Sequence, residues 1–380
     1  MWYFTEEERQ IQDVCRDFAN KELAPVAEKH DTDETFNLDA FKKMGELGVL
    51  GITADPKYGG AGMGALAATI VMEEFGKACA SSTLSYLAHS ILCVNNIQNN
   101  GSEEQKEKYL PKLITGEHIG CMGMSEPEYG SDAVGIQTRA KKDGDHYLIN
   151  GTKMWITNAQ YSDIAYVYTR TGEEKKNLST FILEKDQGHF DVGKPIHKMG
   201  MRASPTGELI FENSKVPKAN LVGNEGDSVY HMMKNLDIER ITISGISLGI
   251  AQACVDQCVK YATERSQFGK NIGEYQMIQR MIAEMAAETE MMRSFLYNTA
   301  HQYDQGVRGP TIAAMVKLTL PKMATKIALD AIQLHGGYGY SREFPVERMM
   351  RDNKLNEIGA GTNEVMVMII AKNLLKQAQS

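Results

Sequence analysis

Four short segments of the sequence combine hydrogen-bonding side chains with glycines or a large aromatic ring. Residues 123–132 read Gly-Met-Ser-Glu-Pro-Glu-Tyr-Gly-Ser-Asp, and residues 153–158 read Lys-Met-Trp-Ile-Thr-Asn. Residues 333–340 place three glycines within four positions, and residues 265–269 carry an arginine ahead of Gln276. Hydroxyls, backbone N–H groups and an arginine suit a phosphate or another polar group, and a tryptophan can cover a flat ring. Each segment alone is also explained as a turn, a helix end or a core aromatic.

A carboxylate stands in the middle of an apolar helix face. At about 100° per residue, Leu236, Glu239, Ile243, Ile246 and Ile250 fall on one narrow face of a predicted helix. Burial without a cation raises the pKa of a carboxylic acid towards neutrality, which suits a general base. Glu239 is therefore a candidate base. The alternative is an ion pair with a lysine or arginine of a neighbouring helix.

The periodicity of hydrophobic residues divides the chain into three parts, whose helices and strands must position these residues. Residues 1–120 show helical three- and four-residue spacing. Residues 121–225 change to short β-rich runs separated by Gly, Asn, Asp and Lys turns, which predicts a small β domain. Residues 226–380 return to long helical runs that carry most of the methionines. The sequence predicts a helical, then a β, then a second helical domain.

Composition narrows the class of protein. The 380 residues are 42% hydrophobic and 24% charged, and 41 Lys and Arg against 49 Asp and Glu give a net charge of −8. This charge disfavours nucleic acid and anionic lipid as partners. Apolar runs fall short of the ~20 residues of a membrane helix, and the N-terminus lacks the features of an export or transit signal. We expect a soluble protein of a bacterial cytoplasm, or of the mitochondrial matrix if the source is eukaryotic.

Cysteine and histidine spacing gives no metal site. The six cysteines contain no C-x-x-C pair, and no histidine cluster has the spacing of zinc ligands. An even number of cysteines allows disulfides, but a chain of this length without a signal peptide favours free thiols.

The order and spacing of the four segments resemble the acyl-CoA dehydrogenase family of flavoproteins along essentially the whole chain. Residues 333–352 fit the second signature of that family, and residues 123–132 fit the first except at Tyr129, where the family usually has a small residue. The resemblance implies a mainly α fold with a central β-barrel or sandwich domain and a C-terminal four-helix bundle. It also implies FAD as cofactor, acyl-CoA as substrate, electron-transfer flavoprotein as electron acceptor, and a homotetramer.

The resemblance also assigns roles to residues. Those expected to bind FAD, partly across a subunit boundary, are Met122, Met124, Ser125, Gly130, Ser131, Trp155, Ile156, Thr157, Arg265, Phe268, Gln276, Gln333, Gly336, Gly337, Thr362 and Glu364, with Asn363 between the last two. Those expected to contact the acyl-CoA are Ser131, Tyr230, Asp237, Arg240, Ala360 and Gly361.

The catalytic base is not where most of the family has it. In most members a Glu directly precedes Gly-Thr in the C-terminal segment, but this chain has Ala360 there, which cannot accept a proton. A minority branch, best known from isovaleryl-CoA dehydrogenase, has the same Gly-Ala-Gly-Thr pattern and takes its base from the first long C-terminal helix. That comparison favours Glu239, with Glu357 as a rival.

These assignments predict the α,β-dehydrogenation of a short branched or alicyclic acyl-CoA. The alternatives are a straight-chain or dicarboxylic substrate, an oxygen-using acyl-CoA oxidase, or a flavin-binding homologue or assembly factor without activity.

Overall fold

The N-terminal part of the chain is built from helices. The computed structural model describes residues 4–379, so the part of the N-terminal signal prediction that concerns residues 1–3 lies outside the described residues. The helices are α1 (Glu6–Phe18), α2 (Ala27–Asp33), α3 (Leu38–Glu46), α4 (Ala65–Ala78), α5 (Ala80–Leu87), α6 (Asn95–Asn100) and α7 (Glu103–Ile114). Capping boxes start two of them: Thr5 with Glu8 begins α1, and Ser102 with Gln105 begins α7. A π-helical stretch, Ala88–Val94, joins α5 to α6.

The middle part is a sheet. Its strands are β1 (Gly120–Gly123), β2 (Arg139–Asp143), β3 (His146–Thr157), β4 (Ile164–Arg170), β5 (Leu178–Glu184), β6 (Asp191–Val192), β7 (Thr206–Pro217) and β8 (Leu221–Val222). The strand order is β6-β7-β3-β2-β4-β5-β8, and β1 pairs in parallel with β4. Both faces of β4 are covered. Tyr166 and Tyr168 pack in a cluster with Met232 from the helical part, whereas Ala165 and Val167 face a core made by the sheet itself.

The C-terminal part is a helical bundle. It contains α8 (Ser228–Glu264), a short hairpin of β9 (Ser266–Gln267) and β10 (Lys270–Asn271), α9 (Gln276–Asp304), α10 (Pro310–His335), α11 (Val346–Asn356) and α12 (Asn363–Gln377). Helices α8, α9 and α10 pack on one another, and α12 packs on α10. The predicted fold class, a helical part, a sheet and a second helical part, is therefore confirmed.

Helix α8 is the central element of the molecule. By length and composition alone it could cross a membrane, but 94% of its most apolar window is buried inside the protein. Helix α4 packs closely on it because Gly249 has no side chain: a Cβ there would lie 2.4 Å from the carbonyl oxygen of Glu73. The ends of α4 and α9 are also joined. The Asp304 carboxylate accepts hydrogen bonds from the backbone N–H groups of Ala65 and Leu66 at 2.6 and 2.9 Å.

The thiols and the acidic side chains form no metal site in the part of the chain that the structure describes. All six cysteines are free and buried. Among residues 4–379, no group of three or more His, Cys, Asp or Glu side chains is placed to hold a metal ion.

Candidate active site

Glu239 lies in the interior, on α8, and its side chain is only 5% exposed. Its Oε2 atom is buried without a hydrogen-bond partner among the described residues. Burial raises the pKa of Glu239 to about 7, although the charges of Arg240 and Lys317 oppose the rise. The ion pair that would explain a helix glutamate structurally is not formed, since no cationic nitrogen of the described residues lies within 4.0 Å of this carboxylate. The group is thus poised as a base near neutral pH.

A tight turn after α11 meets α8 beside this carboxylate. Ala360 and Gly361 in the turn both adopt left-handed backbone conformations, with φ of 56° and 93°. The Lys317 ammonium donates to the Gly361 carbonyl at 2.6 Å, and Arg240 Nε approaches the Ala360 carbonyl at 3.5 Å. Asp237 in turn accepts from Arg240 at 3.2 Å. The structure therefore links Asp237, Arg240 and Ala360 by contacts at the part of α8 that carries Glu239, and the Lys317 ammonium that binds Gly361 also acts on the Glu239 charge.

The backbone N–H of Ala360 donates to no acceptor among residues 4–379. An N–H group free in this way, beside a buried carboxylate, can bind an oxygen that becomes negative during a reaction.

Glu357, the rival base, has structural partners for both oxygens. Thr325 donates to Oε1 at 2.6 Å, and Lys354 and Asn363 donate to Oε2 at 3.1 and 3.3 Å. A carboxylate held in this way is a poor candidate for taking a proton from carbon.

A buried ion pair shapes the first predicted loop. Lys153 is fully buried, and its ammonium donates to Glu126 Oε1 at 2.8 Å and to the Met124 carbonyl at 3.0 Å. Glu126 also accepts from the backbone N–H groups of Gln137 and Thr138 at 2.6 and 2.8 Å. Both residues lie within the motifs singled out in the sequence, but neither was expected to have a role of its own. Glu126 has two other acidic residues in its segment, Glu128 and Asp132, so the sequence carries no signal that singles it out.

Several residues expected to line the flavin ring lie along this loop and β3. Met122 on β1 and Met124 are half-buried, and Met154 binds the Ser125 carbonyl through its N–H at 2.8 Å. Trp155 sits on a bulge of β3 with φ of 65° and is 57% exposed, whereas the next residue, Ile156, is buried. The hydroxyls of Ser125 and half-buried Thr157 bond to no other described residue. This donor set, free hydroxyls beside an exposed indole, fits a flat ring with polar edges such as a flavin.

Gly130, Ser131 and Tyr230 are exposed. A Cβ added at Gly130 would meet nothing within 4 Å, so a ligand can approach the backbone there. Tyr230, near the start of α8, is 72% exposed.

The remaining residues expected to bind FAD lie elsewhere. Arg265 ends α8, 26 residues beyond Glu239, which at 1.5 Å per residue is about 39 Å away. Its guanidinium stacks over the Tyr338 ring at 5.6 Å, next to the glycine turn. Phe268 is 95% exposed with φ of 52°. Four further residues are also exposed: Gln276, Gln333, Gly336 and Gly337. Together with Arg265 and Phe268 they form what we call the distal group. Within one chain the structure does not bring the distal group to Glu239.

Thr362 and Glu364 start α12. The Thr362 hydroxyl caps the helix by accepting from the Val365 N–H at 3.3 Å, and Glu364 is exposed in the first turn. Asn363 is buried, and its Oδ1 atom has no partner among the described residues.

Comparison with known proteins gives matches along the chain. Family models match for the N-terminal domain of acyl-CoA dehydrogenase over residues 5–117, the middle domain over 121–214 and the C-terminal domain over 226–375. A mitochondrial isovaleryl-CoA dehydrogenase of Pongo abelii is 45% identical over 97% of this chain and 88% of that protein.

Solved structures agree. Butyryl-CoA dehydrogenase from Megasphaera elsdenii superposes with a TM-score of 0.96 and 36% identity, covering 99% of this chain and 100% of that one. A glutaryl-CoA dehydrogenase from Mycobacterium smegmatis in complex with FADH2 has a TM-score of 0.93 and 30% identity, covering 98% and 95%.

Proposed function

The chain belongs to the acyl-CoA dehydrogenase family, and from this premise we propose that it dehydrogenates a short branched or alicyclic acyl-CoA with Glu239 as base. The protein is an FAD-dependent oxidoreductase. One observation carries the proposal for the base. Glu239 has a buried, unpartnered oxygen. The next residue, Arg240, lies 3.5 Å from the carbonyl of Ala360, the position at which most family members have their carboxylate.

The proposed reaction removes two hydrogens from adjacent carbons. Glu239 Oε2 accepts the α-proton of the thioester, the β-carbon loses a hydride, and the C–H electron pair at the α-carbon forms the new double bond of the 2-enoyl-CoA. When bound, FAD supplies the acceptor for the hydride. After Glu239 has accepted the proton, its neutral acid form is stable in this apolar site because burial favours the uncharged form.

The turn that contains Ala360 can bind the thioester carbonyl oxygen. As the α-proton leaves, negative charge develops on the carbonyl oxygen, and the free N–H of Ala360 is the group of this chain that can bind it. Arg240 and Asp237, which are linked to each other and to the turn, face the same region and would position the CoA arm.

The proposed substrate class is supported by the acyl groups named for two relatives. The relative from Pongo abelii is an isovaleryl-CoA dehydrogenase, and a relative from Solanum tuberosum, 40% identical over 97% of this chain, is a 2-methylacyl-CoA dehydrogenase. Both names denote branched acyl groups, which makes isovaleryl-CoA the first compound to test.

A direct test follows the visible absorbance of the bound flavin under anaerobic conditions. The holoenzyme is titrated with isovaleryl-, butyryl-, octanoyl-, glutaryl- and cyclohexanecarboxyl-CoA. We expect a branched or alicyclic thioester to bleach the flavin at the lowest concentration. Preferential bleaching by octanoyl- or glutaryl-CoA would overturn the substrate class, and absence of bleaching by all five would favour the inactive homologue. In Glu239→Gln, the flavin should stay bound while bleaching slows by about 10²–10⁴-fold.

The distal group requires a second copy of the chain. Because it lies about 39 Å along α8 from Glu239, we propose that Arg265, Phe268, Gln276 and the Gln333–Gly337 turn hold the FAD of a neighbouring subunit in a homotetramer. Electrons would then pass to electron-transfer flavoprotein, as the family resemblance implies. Arg265→Met should lose FAD on gel filtration while keeping its helical content. Unchanged FAD content in that variant, or a monomer that retains FAD, would contradict the shared site.

A further inference from the structure

We propose that Lys317 is a positioning residue for the reaction: its charge keeps Glu239 ionised without pairing with it, and its hydrogen bond fixes the backbone turn beside the base. This inference rests on the proposed role of Glu239. Lys317 is not among the residues that the family resemblance assigned to cofactor or substrate.

The burial of Lys317 is unusual for a lysine. It lies in the middle of α10, and its side chain is 0% exposed. Lysine is almost never fully buried unless it is paired, because a charge without compensation is costly in an apolar interior. Its ammonium nevertheless forms no ion pair within 4.0 Å among the described residues. Its one hydrogen bond in that part of the chain goes to a backbone carbonyl, that of Gly361 at 2.6 Å.

That carbonyl belongs to the turn that contacts α8 at Arg240, the residue next to the base. Gly361 and Ala360 hold left-handed conformations, and Arg240 approaches the Ala360 carbonyl from the opposite helix at 3.5 Å. Two cations from two helices therefore hold successive carbonyls of one turn. A turn held in this way keeps the free N–H of Ala360 in place for the thioester oxygen.

Lys317 and Glu239 act on each other through space. The charge of Lys317 lowers the pKa of Glu239 from the value that burial alone would give, and Glu239 is the largest favourable charge acting on Lys317. Burial still lowers the pKa of Lys317 to about 8, so it is cationic at neutral pH. A closed ion pair would occupy the carboxylate and make it a weaker base. A cation held a short distance away, by a carbonyl, favours the ionised base and leaves its oxygens free.

Other charged groups also face the two residues. Arg240 on α8 favours the ionised form of Glu239, and Asp237 binds Arg240. The charge of Glu239 contributes to the raised pKa of Tyr168 on β4. Around Lys317, Arg240 opposes its charge, whereas Glu357 and Glu364 favour it. Lys317 is the one group in this set that belongs to α10 and joins the base to the turn.

The test compares the pH dependence of kcat/KM, with the best acyl-CoA, across variants of Lys317. Lys317→Met and Lys317→Gln remove the charge, and Gln keeps an N–H donor for Gly361. Lys317→Arg keeps the charge. Lys326→Met is the matched control, because Lys326 is exposed on the same helix and pairs with Glu288 away from the site. Glu239→Gln is measured alongside.

Removing a neighbouring cation raises the pKa of a carboxylic acid, here Glu239. The rising limb of the curve of kcat/KM against pH should therefore move to higher pH in both neutral variants. We expect a shift of about one unit, hence roughly tenfold lower kcat/KM below the limb and a smaller loss above it. Lys317→Arg and Lys326→Met should keep the wild-type limb.

Each other result has a definite meaning. Neutral variants that fold, bind FAD and keep the wild-type limb would overturn the role of Lys317. So would failure of both neutral variants to fold while Lys317→Arg folds, since the charge would then serve stability. Near-normal turnover in Glu239→Gln would instead overturn the proposed base, whatever the Lys317 variants do.

Discussion

Lys153 and Glu126 form an ion pair inside the middle domain, with Nζ and Oε1 2.8 Å apart and both side chains buried. The pair joins β3 to the loop of residues 123–132, so two segments that are separate in sequence become one wall of the candidate flavin site. Glu126 completes its hydrogen bonds with two backbone N–H groups, and Lys153 completes its own with a carbonyl.

Breaking this pair on one side should destabilise the protein strongly. Lys153→Met leaves the Glu126 carboxylate buried without its cation, and we expect a loss of about 3–5 kcal/mol in the free energy of unfolding, measured with urea. FAD should dissociate more readily, since the loop loses its anchor.

The double variant Lys153→Met with Glu126→Gln distinguishes the cost of an unpaired buried charge from the cost of the altered side chains. It removes both charges and keeps one acceptor oxygen for the two backbone N–H groups, so it should recover part of the lost stability. Equal losses in the single and double variants would show that the charge is not what destabilises the single one.

The activity should depend on pH through Glu239. Its pKa is raised to about 7 by burial, and only the ionised form can accept a proton. The kcat/KM of the wild type should therefore rise with pH and reach half its maximum near pH 7. A stopped-flow series at fixed ionic strength measures it. A rising limb centred near the ordinary glutamate value of about 4.5 would show a base that is not buried as Glu239 is.

Ala360 should be replaceable by glycine with a gain in stability. Its φ of 56° is costly for alanine and free for glycine, so Ala360→Gly should raise the free energy of unfolding by about 1 kcal/mol. Ala371→Gly, at an exposed position inside α12, is the control and should lose about 1 kcal/mol. A loss in both variants would mean that the turn at Ala360 relaxes in solution.

Asp304 should act as a cap for a helix far away in sequence. Gly64 at the start of α4 has no side chain, and the Asp304 carboxylate bonds the first two N–H groups instead. Asp304→Ala should cost about 0.5–2 kcal/mol in chemical unfolding, and Asp304→Asn less, because its amide oxygen can still accept. Equal costs would point to the charge rather than to the hydrogen bonds.

The sequence predicted the fold class and the apolar helix face that carries Glu239, for physical reasons. The change from three- and four-residue spacing to β-rich runs follows directly from side-chain geometry in helices and strands. Glu239 was conspicuous because Ile243, Ile246 and Ile250 share its face, and the structure buries all three. Whether Glu239 is the base stays a prediction.

Other features depended on packing that periodicity does not encode. Lys317 lies in a helix whose pattern places it among Ala and Val residues, but the partner of its ammonium is a backbone carbonyl 44 residues away. A lysine opposite a carbonyl leaves no trace in the sequence. The 39 Å between Glu239 and Arg265 became visible only when α8 proved to be one unbroken helix of 37 residues.

The length of α8 has a genetic consequence if its two ends serve different flavins. Two defective alleles, one encoding Glu239→Gln and the other Arg265→Met, would complement each other when expressed together. In a mixed oligomer, the site that combines Glu239 from one product with Arg265 from the other carries no lesion. Cells with both alleles should regain part of the activity that neither allele provides alone.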